Sequence, residues 1–290
     1  MHRFLLHNGE IRDTAEPLVS PGQTGYMNGW GVFSTLRVYD GVLFAFDRHY
    51  ARLQRDSELV RLPLTLSADD LERMLLTLVD ANDAHNATLR VAIVRNRGGL
   101  FEGRGIATDV DVVAFTADLT DWGLGARLCY LPNGRHAASP FAGTKVTSWC
   151  QNLTWNEEAH ERGFDEVILL NEHGQVSECT SANIFAIFGS TVVTPPVTTS
   201  GCLAGVTRAV LLEEIHIPAL TFEERDIAPR ELEAADQVFI TSTTRNLLPV
   251  LEIEGRKSRQ TPAVLARLEA AFRDYQAAYA SQRATVKETY

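Results

Sequence analysis

One run, residues 178–208, limits the possible folds more than any other part of this chain. Glu178 and Thr180 precede Asn183, Ile184 and Phe185, which lead into an apolar segment; Val192 and Thr194 follow, and Leu203, Gly205, Val206, Thr207 and Arg208 close the run. Short apolar segments separated by polar turns read as buried strands. Ala204-Gly205-Val206-Thr207 directly precedes helical spacing over 208–215. A helix start presents unpaired backbone N–H groups and the positive end of the helix dipole, so this turn suits an anion, with the Thr207 hydroxyl as a further donor. The run therefore asks for a fold that buries a carboxylate on a strand and places an anion-binding turn shortly after it.

The remaining sequence can supply such a fold. Its 290 residues, 45% of them hydrophobic, suffice for two domains with a core in each. The net charge of −10 argues against nucleic-acid and membrane-surface partners, which need clustered cations. No apolar run reaches the length of a bilayer span, and the very short apolar stretch after His2 and Arg3 does not read as a signal peptide, so the expected location is the cytoplasm. Cys129, Cys150, Cys179 and Cys202 lack CxxC spacing and are expected to be buried, reduced thiols; no metal site is expected. Of the 27 basic residues only Lys145, Lys257 and Lys287 are lysines, the last two in polar C-terminal surroundings. If an amine does chemistry here, Lys145 is the candidate.

Taken in order, the chain opens with a hairpin from 4 to 11 that turns at Asn8-Gly9. Glycines at 22, 25, 29 and 31 are too dense for a helix interior and suit a loop passing close to something. Strands at 32–39 and 42–46 flank Asp40-Gly41, and a helix with Asp47 as N-cap runs through His49, Arg52 and Leu53 to about 60. A second helix is predicted from Ser67 to about 79, then strands at 89–94 and 110–116. Residues 1–117 thus read as a small α/β domain, 118–124 as a polar linker and 125–290 as a larger domain. In the latter, strands are expected at 126–131, 166–170, 175–179, 184–187, 191–193 and 238–241, with helices at 147–162, 208–215, 231–235 and 262–279. That count of strands wrapped by helices suits a barrel.

Lys145 follows the loop 138–144 and precedes a predicted helix, where a side chain can be aimed at a cleft; read alone, it could equally be a surface lysine at a helix start. Glu178 alone could be an ordinary hairpin carboxylate. Together they have a specific job. A lysine that loses its charge is a nucleophile toward aldehydes. A carboxylate beside the nitrogen of pyridoxal phosphate keeps that ring protonated, and the protonated ring is the electron sink that such chemistry uses. The phosphate would need its own cradle, for which 204–207, the hydroxyl-rich 241–244 and a bidentate arginine, Arg52, are available.

The residues of 178–208 fit, at every specified position, the signature of the class IV aminotransferases, the fold-type IV pyridoxal-phosphate enzymes, and the chain resembles that family over nearly its whole length. Gly31-Val32-Phe33, Thr35-Leu36-Arg37, Asp40-Gly41, His49 with Arg52-Leu53, Lys145, Gly163 with Glu166, and 241–244 fall in family order. The resemblance implies a small α/β domain and a larger pseudo-barrel domain, with the active site between them and completed by a second subunit, hence a homodimer. It implies pyridoxal 5'-phosphate as cofactor, Lys145 as the Schiff-base lysine and Glu178 as the pyridine partner. Arg52, Val206, Thr207, Thr243 and Thr244 would hold the cofactor at its phosphate.

The partners implied are a small-molecule amino donor and a keto acceptor. For the substrate, Phe33, Arg37, Arg104 and Trp149 are candidates, with Arg95 and Arg97 as further cations and Trp30 and Phe101 as further apolar wall. Arg104 resembles a loop arginine of D-amino-acid aminotransferases and of aminodeoxychorismate lyase. Two departures reshape the pocket: Ser34 stands where members commonly carry Glu, and Trp149, beside Cys150, where a tyrosine is often found. Transamination is the favoured activity, with the lyase reaction as the alternative; the choice among branched-chain L-amino acids, D-amino acids and R-amines stays open.

Overall fold

The computed structural model describes the backbone of residues 1–99, 103 and 106–287, and the side chains of all of these except 285–287. Arg104 and Phe101 therefore lie outside the described residues. The chain forms two compact units, one of Met1–Thr120, Thr144–Trp149 and Gln276–Tyr290, the other of Asp121–Gly143 and Cys150–Tyr275. Among the described residues no helix is long and apolar enough to cross a membrane.

The first unit is built on β1 (Phe4–His7), β2 (Glu10–Asp13), α1 (Thr24–Asn28), β3 (Gly31–Tyr39), β4 (Val42–Leu43), α2 (Phe46–Leu59), α3 (Ala68–Ala81), β5 (Ala87–Arg95) and β6 (Val110–Ala117). Its six strands are antiparallel in the order β2-β1-β6-β5-β3-β4. Alternation along β3 sends Val32, Leu36 and Val38 into a core that they share with Leu71, Leu75 and Leu78 of α3, which recur at helical spacing. Phe33, Thr35 and Arg37 point to the other face. α3, expected from Ser67, begins at Ala68 with Ser67 as its cap, accepting the Asp70 N–H at 3.1 Å.

Three local expectations need correction here. The N-cap position of α2 is Ala45, in the left-handed region at φ 52°, and Asp47 lies in the first turn. The strand after Asp40-Gly41 stops at Leu43, since Ala45 already turns the chain into α2. The glycine-rich loop contains one helical turn, α1, stopped by Gly29 at φ 63°. The closeness that this loop needed is real: a Cβ on Gly31 would stand 2.7 Å from the Ile93 carbonyl oxygen and 2.9 Å from Thr147 Oγ1.

The second unit contains β7 (Ala126–Leu131), α4 (Cys150–Glu161), β8 (Glu166–Leu170), β9 (Val176–Cys179), β10 (Asn183–Phe188), β11 (Thr191–Thr194), α5 (Val206–Glu213), β12 (Thr221–Glu224), α6 (Pro229–Ala234), β13 (Gln237–Ser242), β14 (Asn246–Ile253), β15 (Arg256–Lys257) and α7 (Pro262–Lys287), whose last turns belong to the first unit. A nine-stranded sheet runs β12-β11-β10-β13-β14-β7-β8-β9, with β15 on β14. The short turn after β9 leads the chain straight to β10, the Cys179 N–H donating to the Ala182 carbonyl at 2.8 Å, so the sheet curves back on itself. β8 is buried throughout, and at the centre of the sheet Phe185 stacks on its cross-strand neighbour Phe239 at 5.0 Å.

The helix expected at 147–162 begins only at Cys150. The residues before it are not helical; Val146 forms an antiparallel bridge with Val32 on the free edge of β3, which β4 does not reach. Cys129, Cys179 and Cys202 are buried free thiols as expected, but Cys150, at the start of α4, is exposed. Burial pushes the Cys202 thiol up to about 11 and the Cys179 thiol well above the ordinary range.

Candidate active site

In the first unit Lys145 is set by backbone pairing rather than by a helix. The Phe33 N–H donates to the Lys145 carbonyl at 3.0 Å and the Thr147 N–H to the Gly31 carbonyl at 2.9 Å. Lys145 thereby shares the sheet face of Phe33, and its Nζ lies 4.5 Å from the Phe33 ring centroid and 5.7 Å from that of Trp149, itself edge-on to Phe33. Two of the substrate candidates therefore surround the lysine. Arg37 is half-buried, with Nη2 3.4 Å from Asn86 Oδ1.

Behind β3, on the helix side, Arg52 and His49 of α2 meet Ser34. Arg52 Nη2 donates to Ser34 Oγ at 2.9 Å, and the same hydroxyl is hydrogen-bonded to His49 Nδ1, 2.8 Å away. Burial, with Arg52 and Lys145 close by, holds the imidazole well below its usual range, so His49 is neutral. Burial also brings the guanidinium of Arg52 down to about 10, still charged near neutral pH. The departure at position 34 thus has a local result: a hydroxyl bridges a neutral imidazole and a buried cation.

In the second unit Glu178 is buried, and both its oxygens are engaged. Oε1 accepts from Arg135 Nε at 2.9 Å and Oε2 from the Leu203 N–H at 3.0 Å. Arg135 Nη1 reaches Asn152 Oδ1 at 3.3 Å, and Asn152 Nδ2 donates to the Thr180 carbonyl at 2.9 Å, closing a ring of contacts around the carboxylate. The same carboxylate pins the turn before α5. Asn183 Nδ2 holds the Leu203 carbonyl at 2.8 Å, and Gly205 is the N-cap residue, so Val206 and Thr207 begin the helix. No side chain caps α5, and its first N–H groups keep the capacity for an anion that the sequence suggested.

Gly205 is required by packing. A Cβ there would stand 2.0 Å from Asn183 Oδ1, and Asn183 is anchored by its bond to Leu203. Gly205→Ala is expected to cost about 1–3 kcal/mol of stability, read as a fall in the thermal midpoint; an unchanged midpoint would refute the packing account.

The 241–244 turn follows β13. Among the described residues Thr241 Oγ1 is buried without a hydrogen-bond partner, a donor suited to an added acceptor. Thr243 and Thr244 are half-buried beyond it, and Arg245 braces the turn: its Nη2 pairs with the buried Glu166 at 3.3 Å and its Cζ stacks 3.9 Å from the Trp122 centroid. The residues present in this unit, a buried carboxylate, a bare helix start and an unpartnered hydroxyl, fit the ring nitrogen and phosphate of pyridoxal phosphate.

Sequence reading missed several residues. Arg90 stands opposite Thr35 in the β3–β5 register, with Cζ 4.8 Å from the Phe33 centroid; strict alternation along β5 puts it on the face of Phe33 and was the available signal. Arg95 and Arg97, proposed for substrate carboxylates, brace loops instead, Arg95 Nε bonding the Arg97 carbonyl at 2.7 Å and Arg97 pairing with Asp109 at 3.5 Å. Trp30 packs on the core, its Nε1 donating to the Val60 carbonyl at 2.8 Å. Arg135 lies in an irregular loop, where no periodicity could mark it.

The chain matches the family model described as amino-transferase class IV over residues 31–253. It is 31% identical over 258 residues to a D-alanine aminotransferase of Bacillus licheniformis, covering 87% of this chain and 89% of that one. It is 27% identical over 272 residues to a putative branched-chain-amino-acid aminotransferase of Methanocaldococcus jannaschii, covering 92% and 94%. The branched-chain aminotransferase structure from Thermoproteus uzoniensis superposes with a TM-score of 0.84 at 24% identity, covering 94% of each chain, and shares the fold.

Proposed function

The chain belongs to the class IV aminotransferases, a family of pyridoxal-phosphate enzymes, and from that membership we propose that it transfers the amino group of an amino acid to a 2-keto acid, with Lys145 as the reacting amine. When bound, pyridoxal 5'-phosphate supplies the aldehyde that takes up the amino group and a protonated ring that accepts electrons. The protein's own residues do the rest. Glu178, oriented by Arg135 and Leu203, holds negative charge for the ring nitrogen. Val206, Thr207, Thr243, Thr244 and Arg52 are the phosphate donors, and Lys145 carries the proton between donor and acceptor carbons.

The observation that carries the choice of substrate is the Phe33 ring, with Lys145 Nζ 4.5 Å and Arg90 Cζ 4.8 Å from its centroid. An amine on one side of β3 and a cation on the other flank a single aromatic side chain, which suits a substrate bearing both a reacting amino carbon and a carboxylate. An amino acid meets that description and a simple amine does not. Loading the enzyme with cofactor and adding single donors without acceptor tests this. Amino acids are expected to convert its absorbance to that of pyridoxamine phosphate, and R-1-phenylethylamine to leave it unchanged. Conversion by the amine alone would overturn the substrate reading. Pyruvate release from aminodeoxychorismate without a keto acceptor would favour the lyase. A cytoplasmic homodimer goes with this proposal, and sedimentation is expected to give twice the 32.1 kDa chain mass.

A further inference from the structure

The pairing between β3 and the Lys145 segment ends abruptly. In a continued antiparallel ladder the Lys145 N–H would return to the Phe33 carbonyl, as the Phe33 N–H reaches the Lys145 carbonyl. Instead the Lys145 N–H donates at 3.0 Å to Oδ2 of Asp56, 89 residues earlier in the chain. Asp56 lies on α2 and is 1% exposed. Its other oxygen, Oδ1, accepts from Arg55 Nη2 at 2.6 Å and Nε at 3.0 Å, which fixes the carboxylate on both sides. Asp56 also stands four residues after Arg52, on the same face of α2. A buried carboxylate is costly unless its oxygens are satisfied, so this one has a defined orientation and little freedom to leave it.

We propose that Asp56 is a positioning residue for Lys145: it takes the lysine's backbone N–H where sheet pairing stops and so sets the point from which the side chain extends over Phe33. The proposal rests on the reading of Lys145 as the amine that joins the cofactor aldehyde. The role is geometric, so keeping the acceptor in place matters more than keeping its charge. Asn at 56 retains a carbonyl at the position of Oδ2, whereas Glu keeps the charge but moves the acceptor by one methylene. Displacements near 1 Å can slow a positioned reaction by up to about a hundredfold.

The test uses the full chain and two ligands. Borohydride trapping of pyridoxal phosphate reports the link to a lysine; binding of pyridoxamine phosphate, which has no aldehyde, reports the site without that link. In Asp56→Glu the trapping rate is expected to fall about tenfold or more, with pyridoxamine phosphate affinity within about twofold of wild type; in Asp56→Asn both stay within about threefold. Thermal midpoints measured alongside show whether each variant is folded, and an unfolded Asp56→Glu leaves the decision to Asp56→Asn and Asp56→Ser, the second expected to trap slowly for want of reach. Three results overturn the proposal: trapping slowed in Asp56→Asn but not in Asp56→Glu, which would make the role one of charge; equal losses for both ligands, which would make it a general structural one; or unchanged trapping in every variant. Failure of the underlying reading looks different, since Lys145→Ala would then still yield a trapped adduct.

Discussion

Lys145→Ala is expected to leave a folded protein that forms no borohydride-reducible link to pyridoxal phosphate and has lost at least about a thousandfold in turnover. The expectation of an intact fold comes from how the residue is held. Its backbone makes the contacts to Phe33 and Asp56, and alanine keeps both, while the side chain beyond Cβ extends over the rings of Phe33 and Trp149 and is only half-buried. The loss is therefore chemical. An added small amine supplies part of the missing nucleophile and proton carrier, so partial recovery with methylamine is expected. Activity within tenfold of wild type, with the cofactor still trapped elsewhere, would remove Lys145 from the reaction.

Glu178→Gln is expected to lower kcat by about 10²–10³, a loss on the order of 2.7–4 kcal/mol in transition-state stabilisation. The amide can still accept from the Leu203 N–H, so the turn before α5 keeps that anchor. What it cannot do is balance two positive neighbours. Arg135 would face an amide in place of a carboxylate 2.9 Å away, and, under the role proposed for Glu178, the ring nitrogen of the cofactor would lose its counter-charge. A kcat loss with an almost unchanged affinity for pyridoxamine phosphate separates charge from positioning. A loss under about fivefold would show that Glu178 serves the architecture and not the reaction.

Much of the site was legible because its residues carry strong local rules. Gly205 precedes helical spacing and follows a strand pattern, and that juxtaposition alone announces a helix start able to meet an anion. The scarcity of lysine singled out Lys145 without any knowledge of the fold. The local context of Lys145 was less legible. Its neighbours have helical spacing, but the open edge of β3 pairs with Val146 and the helix begins only at Cys150, because unpaired edge groups of a sheet gain hydrogen bonds that a frayed first helical turn does not. Ala45 at φ 52° likewise defeats the expectation of an Asp47 cap, since the preceding strand forces a left-handed turn that an N-cap preference cannot outweigh.

The family, the carboxylate and the anion turn were written in the chain itself, because each depends on residue types at short spacings that local stereochemistry fixes. The partners of those residues were not. Arg135 on Glu178, Asn183 against Gly205, Arg90 beside Phe33 and Asp56 on the Lys145 backbone join positions 22 to 89 residues apart. Periodicity can assign a residue to a face, as alternation does for Arg90, but not to a partner; strand register and helix packing bring these pairs together, and only the folded chain decides which buried donor meets which acceptor.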